Sequence, residues 1–402
     1  MSSSKFLPLA LVLGLLSAIG PFAIDMYLPA LPSIGASLHA DMNTVQMSLM
    51  SFFVALGTSQ LFYGPASDMW GRKAPLYAGM GLFTLASVGC AMAPGVEVLI
   101  ALRFVQGVGA GAAMTVPRAV VRDLHTGNDA ARLMSLLMLV FSVSPILAPL
   151  VGSVVIELAG WRGIFWTVTV AGLCGLAVIA TFLKETRPPA ARVDSSIGSA
   201  LRGYWLLLQD RHFLGLVFTG AFGMASFFVY LANSSFVMID HHGLTPRQYS
   251  VAFSVNAISF IGVSQLTGWL GARIGLQRVV KFAVKGYCAS MVLLLAVTLA
   301  GVDRLDVLIG LFFVGFGFLG LVIPTTAVLA LESHGRIAGT ASALMGTLQF
   351  FTGTVMMAVV GLFLDGGPLP MVAGVAACAT ASLVLAHGTL GGGRRAASAA
   401  SG

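Results

Sequence analysis

The sequence predicts an all-α integral membrane protein with twelve transmembrane helices in two pseudo-symmetric six-helix bundles. Three observations carry this expectation. The 402 residues are 57% hydrophobic and only 9% charged, with mean hydropathy +0.93, whereas a soluble domain carries about 25% charge. The apolar residues gather in runs of about 20, long enough to cross a bilayer as helix. Finally, eighteen of the 22 Lys and Arg fall in one alternating set of segments between those runs. That asymmetry is the positive-inside pattern and predicts cytoplasmic termini. The net charge of +7 is thus a topology signal and calls for no nucleic-acid partner.

A repeat near half the chain length divides the runs into two sets. Gly64-Pro65-Ala66-Ser67-Asp68-Met69-Trp70-Gly71-Arg72-Lys73 reads as a short polar hairpin, with Gly64 and Gly71 supplying the tight turn. A degraded copy, Gly268 to Arg278, lies 268 − 64 = 204 residues later. Val116-Pro117 is echoed by Ile323-Pro324 at 324 − 117 = 207, and Ala131 by Ala338 at the same offset. Both hairpins resemble the Gly-x-Leu-x-Asp-x-x-Gly-Arg-Lys loop between the second and third helices of each half of major facilitator superfamily transporters. The first copy is nearly complete and the second lacks the aspartate. The resemblance implies the major facilitator fold and a gating role for Gly64, Asp68, Gly71, Arg72 and Lys73.

The first run, 6–28, has the length of a span and no small-residue cleavage site after it. It ends in Asp25-Met26-Tyr27-Leu28-Pro29, and 29–43 is expected as an external loop. An ionisable side chain at membrane depth costs about 2.5–3.5 kcal/mol on insertion scales, so Asp25 marks a functional position. An aspartate at an already wet helix end is the other reading. Pro29 has no N–H, which frees the Asp25 carbonyl. The second span, about 44–64, carries Gln60 one turn before the hairpin.

In the fourth span, Arg103, Gln106, Gly107 and Ala110 share one helix face. Arginine stays charged in proteins, so Arg103 must reach the bundle interior, a partner or the outer interface. Counting inward places it at the depth of Asp25, as a candidate neighbour. Arg-x-x-Gln-Gly resembles the fourth-helix motif of the superfamily, whose arginine is associated with proton coupling. Arg118, Arg122 and Asp123 at the inner end either latch onto the Asp68 hairpin or form a solvated loop. The fifth span carries Pro145 and Pro149, expected to bend it, followed by Gly152. This stretch resembles the Gly-Pro-rich fifth-helix motif of the superfamily's antiporters in a degenerate form, which adds Pro145, Pro149 and Gly152 to the gating residues.

The chain divides into a six-helix bundle over 1–186, a cytoplasmic linker over 187–211, a second bundle over 212–390 and a flexible cytoplasmic tail over 391–402. A short surface helix around Tyr204 to Leu208 is compatible with the linker. The second bundle has no counterpart of Asp25. Its interior polar residues Tyr230, Asn233, Asn256 and Gln349 join Tyr27, Gln60 and Gln106 as candidate substrate contacts.

No phosphate-binding Gly-Lys-Ser/Thr loop is present. Four cysteines sit in separate runs without metal spacing, and seven histidines, among them His241, His242 and His334, sit in loops or near span ends. Neither catalytic nor metal residues are assigned, and an enzyme is not expected. The Asp25 and Gly64 motifs, with Arg103 and Val121-Arg122-Asp123, resemble the bicyclomycin/chloramphenicol-resistance group of drug:proton antiporters from about residue 6 to 388. That resemblance implies a bacterial inner-membrane exporter of small lipophilic drugs such as phenicols or bicyclomycin, driven by the proton gradient with no bound cofactor. Drug, proton and lipid bilayer are the expected partners, and a monomer the expected state. A proton-coupled carrier for a sugar or amino acid is the alternative.

Overall fold

A computed structural model describes residues 6–125, 127–188, 197–364 and 366–391. The expected tail over 392–402, linker residues 189–196 and the Arg336 side chain lie outside the described residues. Among the described residues there is no strand. The helices are α1 Phe6–Asp25, α2 Leu31–Leu38, α3 Met42–Trp70, α4 Lys73–Ala91, α5 Val96–Leu124, α6 Gly127–Thr181, α7 Ile197–Gln209, α8 Arg211–Ser235, α9 Pro246–Ser264, α10 Thr267–Ile274, α11 Leu276–Leu299, α12 Leu305–Glu332, α13 Ala338–Gly361 and α14 Leu369–Gly391.

Eleven apolar helical stretches are long enough to cross a membrane, and one of them, Val143–Thr181, holds 39 residues. α6 breaks inside that stretch at Gly160 (φ 66°, ψ −175°), a conformation that glycine adopts without a Cβ clash. Its two arms are the fifth and sixth spans, which brings the count to the twelve expected. The backbone stays helical through Pro145 and Pro149, so the sharp break falls at Gly160 instead.

The chain folds into two compact units, residues 1–202 with 246–250, and 203–245 with 251–402. Within the first, α1 packs on α5 and α6, and α4 on α5 and α6. Within the second, α8 packs on α12 and α13, and α11 on α12 and α14. The same pairing pattern in both units is the repeat in three dimensions. Gly71 (φ 90°) and Gly275 (φ 84°) both hold left-handed backbone conformations, 275 − 71 = 204 residues apart, while Pro117 and Pro324 lie inside α5 and α12.

Three local expectations need correction. Gly64 makes no turn: α3 runs through it to Trp70, and a methyl group there would meet no atom within 4 Å. The hairpin is therefore only Gly71-Arg72. Nor is 29–43 an open loop. A single 3₁₀ turn over Leu28–Ala30 leads into α2, and Tyr27, Leu28, Ala30, Leu31 and Ile34 are fully buried. Finally, the linker contains a full helix, α7, with Leu201, Trp205, Leu206 and Leu208 exposed. An amphipathic helix with an uncovered apolar face suits the membrane interface.

Candidate functional site

Asp25 is the last residue of α1 and is 4% exposed, which removes the reading of a wet helix end. Ser144, on the first arm of α6, donates its hydroxyl to Asp25 Oδ2 at 3.1 Å. The same α6 face lies against the end of α1 two turns later. A methyl group at Gly152 would collide with the Met26 carbonyl oxygen, so the close approach of the two segments depends on glycine. The Ser144-Pro145 to Pro149-x-x-Gly152 stretch thus forms one wall of the Asp25 site. Nothing in the sequence singled out Ser144; its position directly before Pro145 was the available signal.

Arg103 is not the partner of Asp25. Among the described residues no ion pair includes either group. The fully buried guanidinium lies 4.2 Å from the ring centroid of Phe52, 4.6 Å from Tyr27 and 5.9 Å from Phe165. Aromatic faces attract a cation by about 2 kcal/mol or more when water is excluded. Nη1 donates to Gln106 Oε1 at 2.6 Å, and Gln106 Nε2 donates to Ser87 Oγ at 2.7 Å. The i, i+3 spacing read from the sequence is therefore a hydrogen bond. Nε and Nη2 of Arg103 are buried without a hydrogen-bond partner. Tyr27, two residues beyond Asp25, faces Arg103 with its ring while its hydroxyl pairs with Ser48 Oγ at 2.7 Å. Asp25 and Arg103 are thus linked through the Asp25-Met26-Tyr27 turn and not by a direct ionic contact.

The first hairpin is a charge cluster. Arg72 is 3% exposed; it binds Asp123 through Nε at 2.7 Å and Nη2 at 2.9 Å, and its Nη1 reaches Asp68 Oδ1 and Ser67 Oγ, each at 2.7 Å. Burial opposes the charge on Arg72, but Asp123 and Asp68 outweigh it and raise its pKa. Glu185 accepts from the backbone N–H groups of Arg72 and Lys73 at 2.9 and 3.2 Å, where a carboxylate suits the start of α4. Thr186 donates to Asp123, and Arg187 to the Asp68 carbonyl. Of Arg118, Arg122 and Asp123, the last is the one these contacts join to the Asp68 hairpin, through Arg72. Arg122 is exposed and enters no ion pair among the described residues, so the latch residue at this end of α5 is Asp123 alone. Lys73 instead holds its ammonium 5.6 Å from the Tyr77 ring. Glu185, Thr186 and Arg187 went unrecognised because the sequence presents them only as a linker boundary.

At the equivalent offset, Asp68 becomes Ala272 and Arg72 becomes Leu276 (each + 204). The second unit therefore has no copy of the latch; there Arg273 stacks on Trp269 at 4.2 Å.

The candidate substrate contacts separate by unit. Gln60 is buried with Nε2 unsatisfied, whereas Gln106 is committed to Arg103. In the second unit Asn256 Nδ2 donates to the Tyr230 hydroxyl at 3.0 Å, leaving Asn256 Oδ1 buried without a hydrogen bond. The Tyr230 ring packs on Phe253, Phe312 and Phe316 at 5.7, 4.8 and 5.0 Å. Asn233 returns its amide to the Val229 carbonyl of its own helix, and Gln349 is half-buried. Tyr230 and Asn256 thus form one buried polar pair within an aromatic cluster.

A family profile described as Major Facilitator Superfamily matches residues 13–357. The chain is 37% identical over 358 residues to the uncharacterized MFS-type transporter YdgK of Bacillus subtilis, covering 89% of each protein. It is 30% identical over 376 residues to a bicyclomycin resistance protein homolog of Haemophilus influenzae, covering 93% of this chain and 94% of that one. A crystal structure of a D-xylose-proton symporter superposes over 96% of both chains with a TM-score of 0.73 at 15% identity, a likeness of fold alone. With the twelve spans, the repeat and the hairpin on Gly71, these similarities identify the chain as a multi-pass membrane transporter, not an enzyme, that belongs to the major facilitator superfamily.

Proposed function

We propose that the protein is a proton-coupled exporter of small lipophilic drugs, of the phenicol or bicyclomycin kind, working by alternating access in a bacterial inner membrane. Asp25 carries this reading. It is a deeply buried carboxylate whose observed partner is a neutral hydroxyl, with no paired cation among the described residues. Burial favours the protonated form of a carboxylate, and access to water favours the ionised form. A conformational change that opens and closes the Asp25 site therefore loads a proton on one side and releases it on the other. Arg103, with two nitrogens that lack a hydrogen-bond partner, offers the charge that a carboxylate or a polar substrate group seeks once the Tyr27 turn moves. The proton gradient supplies the energy without a bound cofactor. The Phe-rich surroundings of Tyr230 and Asn256 suit a lipophilic guest with one or two polar groups, and the resistance-protein name of a relative points the same way.

Inside-out membrane vesicles with an acid interior test the proposal. Addition of chloramphenicol or bicyclomycin is expected to dissipate the gradient with the unaltered protein and to leave it intact with Asp25→Asn. Dissipation by a sugar or an amino acid, with silence towards every drug, replaces the drug reading with a metabolite carrier. Equal drug responses from both proteins remove Asp25 from the proton path.

A further inference from the structure

A second cluster of ionisable groups lies outside the Asp25 site and the latch. α8 ends in a π-helical turn, Phe236–His241, closed by the His242 N–H bonding the Val237 carbonyl at 3.1 Å. Gly243, in a left-handed conformation (φ 72°), reverses the chain directly afterwards. The turn holds the two adjacent imidazoles edge to face, with ring centroids 4.9 Å apart and planes at 83°. Asp303, in the connection between α11 and α12, reaches between them. His241 Nε2 lies 2.6 Å from Asp303 Oδ2 and His242 Nε2 lies 3.4 Å from Oδ1.

We propose that His241, His242 and Asp303 form a binding site for a divalent transition-metal ion of the zinc type. Three donor atoms from three residues, all within 4.8 Å of one another, need only a small adjustment to receive an ion. Zinc bonds of about 2.0–2.2 Å to nitrogen and oxygen place tetrahedral donor atoms about 3.3 Å apart. His242 Nε2 stands at about that spacing from Oδ1 and His241 Nε2 lies closer than that to Oδ2, so a small turn of the carboxylate presents one oxygen to an ion held by both rings.

The second observation is the state of His242. Its Nε2 is shielded from solvent and forms no hydrogen bond. An ion pair alone would leave this nitrogen unsatisfied, whereas a metal occupies it. Two imidazoles and one carboxylate select zinc, cobalt, nickel or copper over magnesium and calcium, which prefer oxygen ligands. Asp303 and His241 are partly exposed, so the ion enters from solution and retains water in its remaining position. Bound metal would staple the end of α8 to the α11–α12 connection. The inference does not depend on what the protein transports.

The test uses untagged full-length protein in detergent, titrated with Zn²⁺ against a chromophoric chelator and separately with Co²⁺. One equivalent of Zn²⁺ is expected per chain, unaffected by millimolar Mg²⁺ or Ca²⁺, and Co²⁺ should give the visible absorption of a four- or five-coordinate site. His242→Ala and the near-isosteric Asp303→Asn should each weaken Zn²⁺ binding at least about 100-fold while eluting as the same monodisperse species. Asp303→Asn, altering a half-exposed loop side chain, keeps the test open if His242→Ala misfolds. Failure of the unaltered protein to bind Zn²⁺ overturns the proposal. So does equal binding by the unaltered protein and Asp303→Asn, which would assign the metal to other residues.

Discussion

Ser144 and Asp25 are 119 residues apart in sequence and meet at 3.1 Å inside the first unit. The contact brings together the two motifs that flank it, the Asp25-to-Pro29 turn and the proline-glycine stretch of α6. Ser144→Ala removes the observed hydrogen-bond partner of Asp25 and is expected to slow export several-fold. Asp25→Asn should abolish coupled export without unfolding the protein. Gradient dissipation in vesicles across a pH series checks both.

The latch predicts an order of effects that the hairpin motif by itself does not. Asp123 holds Arg72 with two hydrogen bonds and has a side chain 15% exposed, while Asp68 makes one and is 42% exposed. Removing one partner of a buried pair costs about 3 kcal/mol or more, and an exposed pair contributes under about 1 kcal/mol. Thermal unfolding in detergent should show Asp123→Asn as more damaging than Asp68→Asn. Both should slow transport more than they weaken drug binding.

Two glycines in recognisable motifs should respond in opposite ways. Gly152→Ala drives a methyl group into the Met26 carbonyl and is expected to cut expression and transport by about 10-fold or more, as overpacking costs about 1–3 kcal/mol. Gly64→Ala enters open space within a helix, where it should be neutral or stabilise by up to about 1 kcal/mol. Expression level, melting temperature and drug resistance of the two variants settle the comparison.

Arg103→Lys should fail to restore transport. The flat guanidinium stacks between Phe52 and Tyr27 and binds Gln106, and an ammonium reproduces neither the stacking nor the planar set of donors. In the second unit, Tyr230→Phe leaves the Asn256 amide without its observed acceptor. That variant is expected to raise the half-saturating drug concentration several-fold with little change in maximal rate. Drug-dependent gradient dissipation measured over a concentration series separates the two outcomes.

The sequence by itself determined the membrane class, the spans and the half-chain repeat. These depend on composition and period, which are properties of short windows. It also marked Asp25, Arg103 and Arg72, because a charge among apolar residues is conspicuous wherever it finally points. Only the tertiary structure decided what each charge meets. Depth counting made Asp25 and Arg103 candidate neighbours, yet Asp25 faces Ser144 and Arg103 faces three aromatic rings, since azimuth around a helix and packing against other helices are absent from a depth count. The latch pairs Arg72 with Asp123, and Glu185 arrives from the boundary between the first bundle and the linker. His241 and His242 read only as histidines in a loop or near a span end; the turn of α8 and the return of the chain after α11 bring Asp303 to them. Gly64 looked like a turn residue because glycine permits one, and α3 continues through it because one glycine inside a helix costs only about 1 kcal/mol.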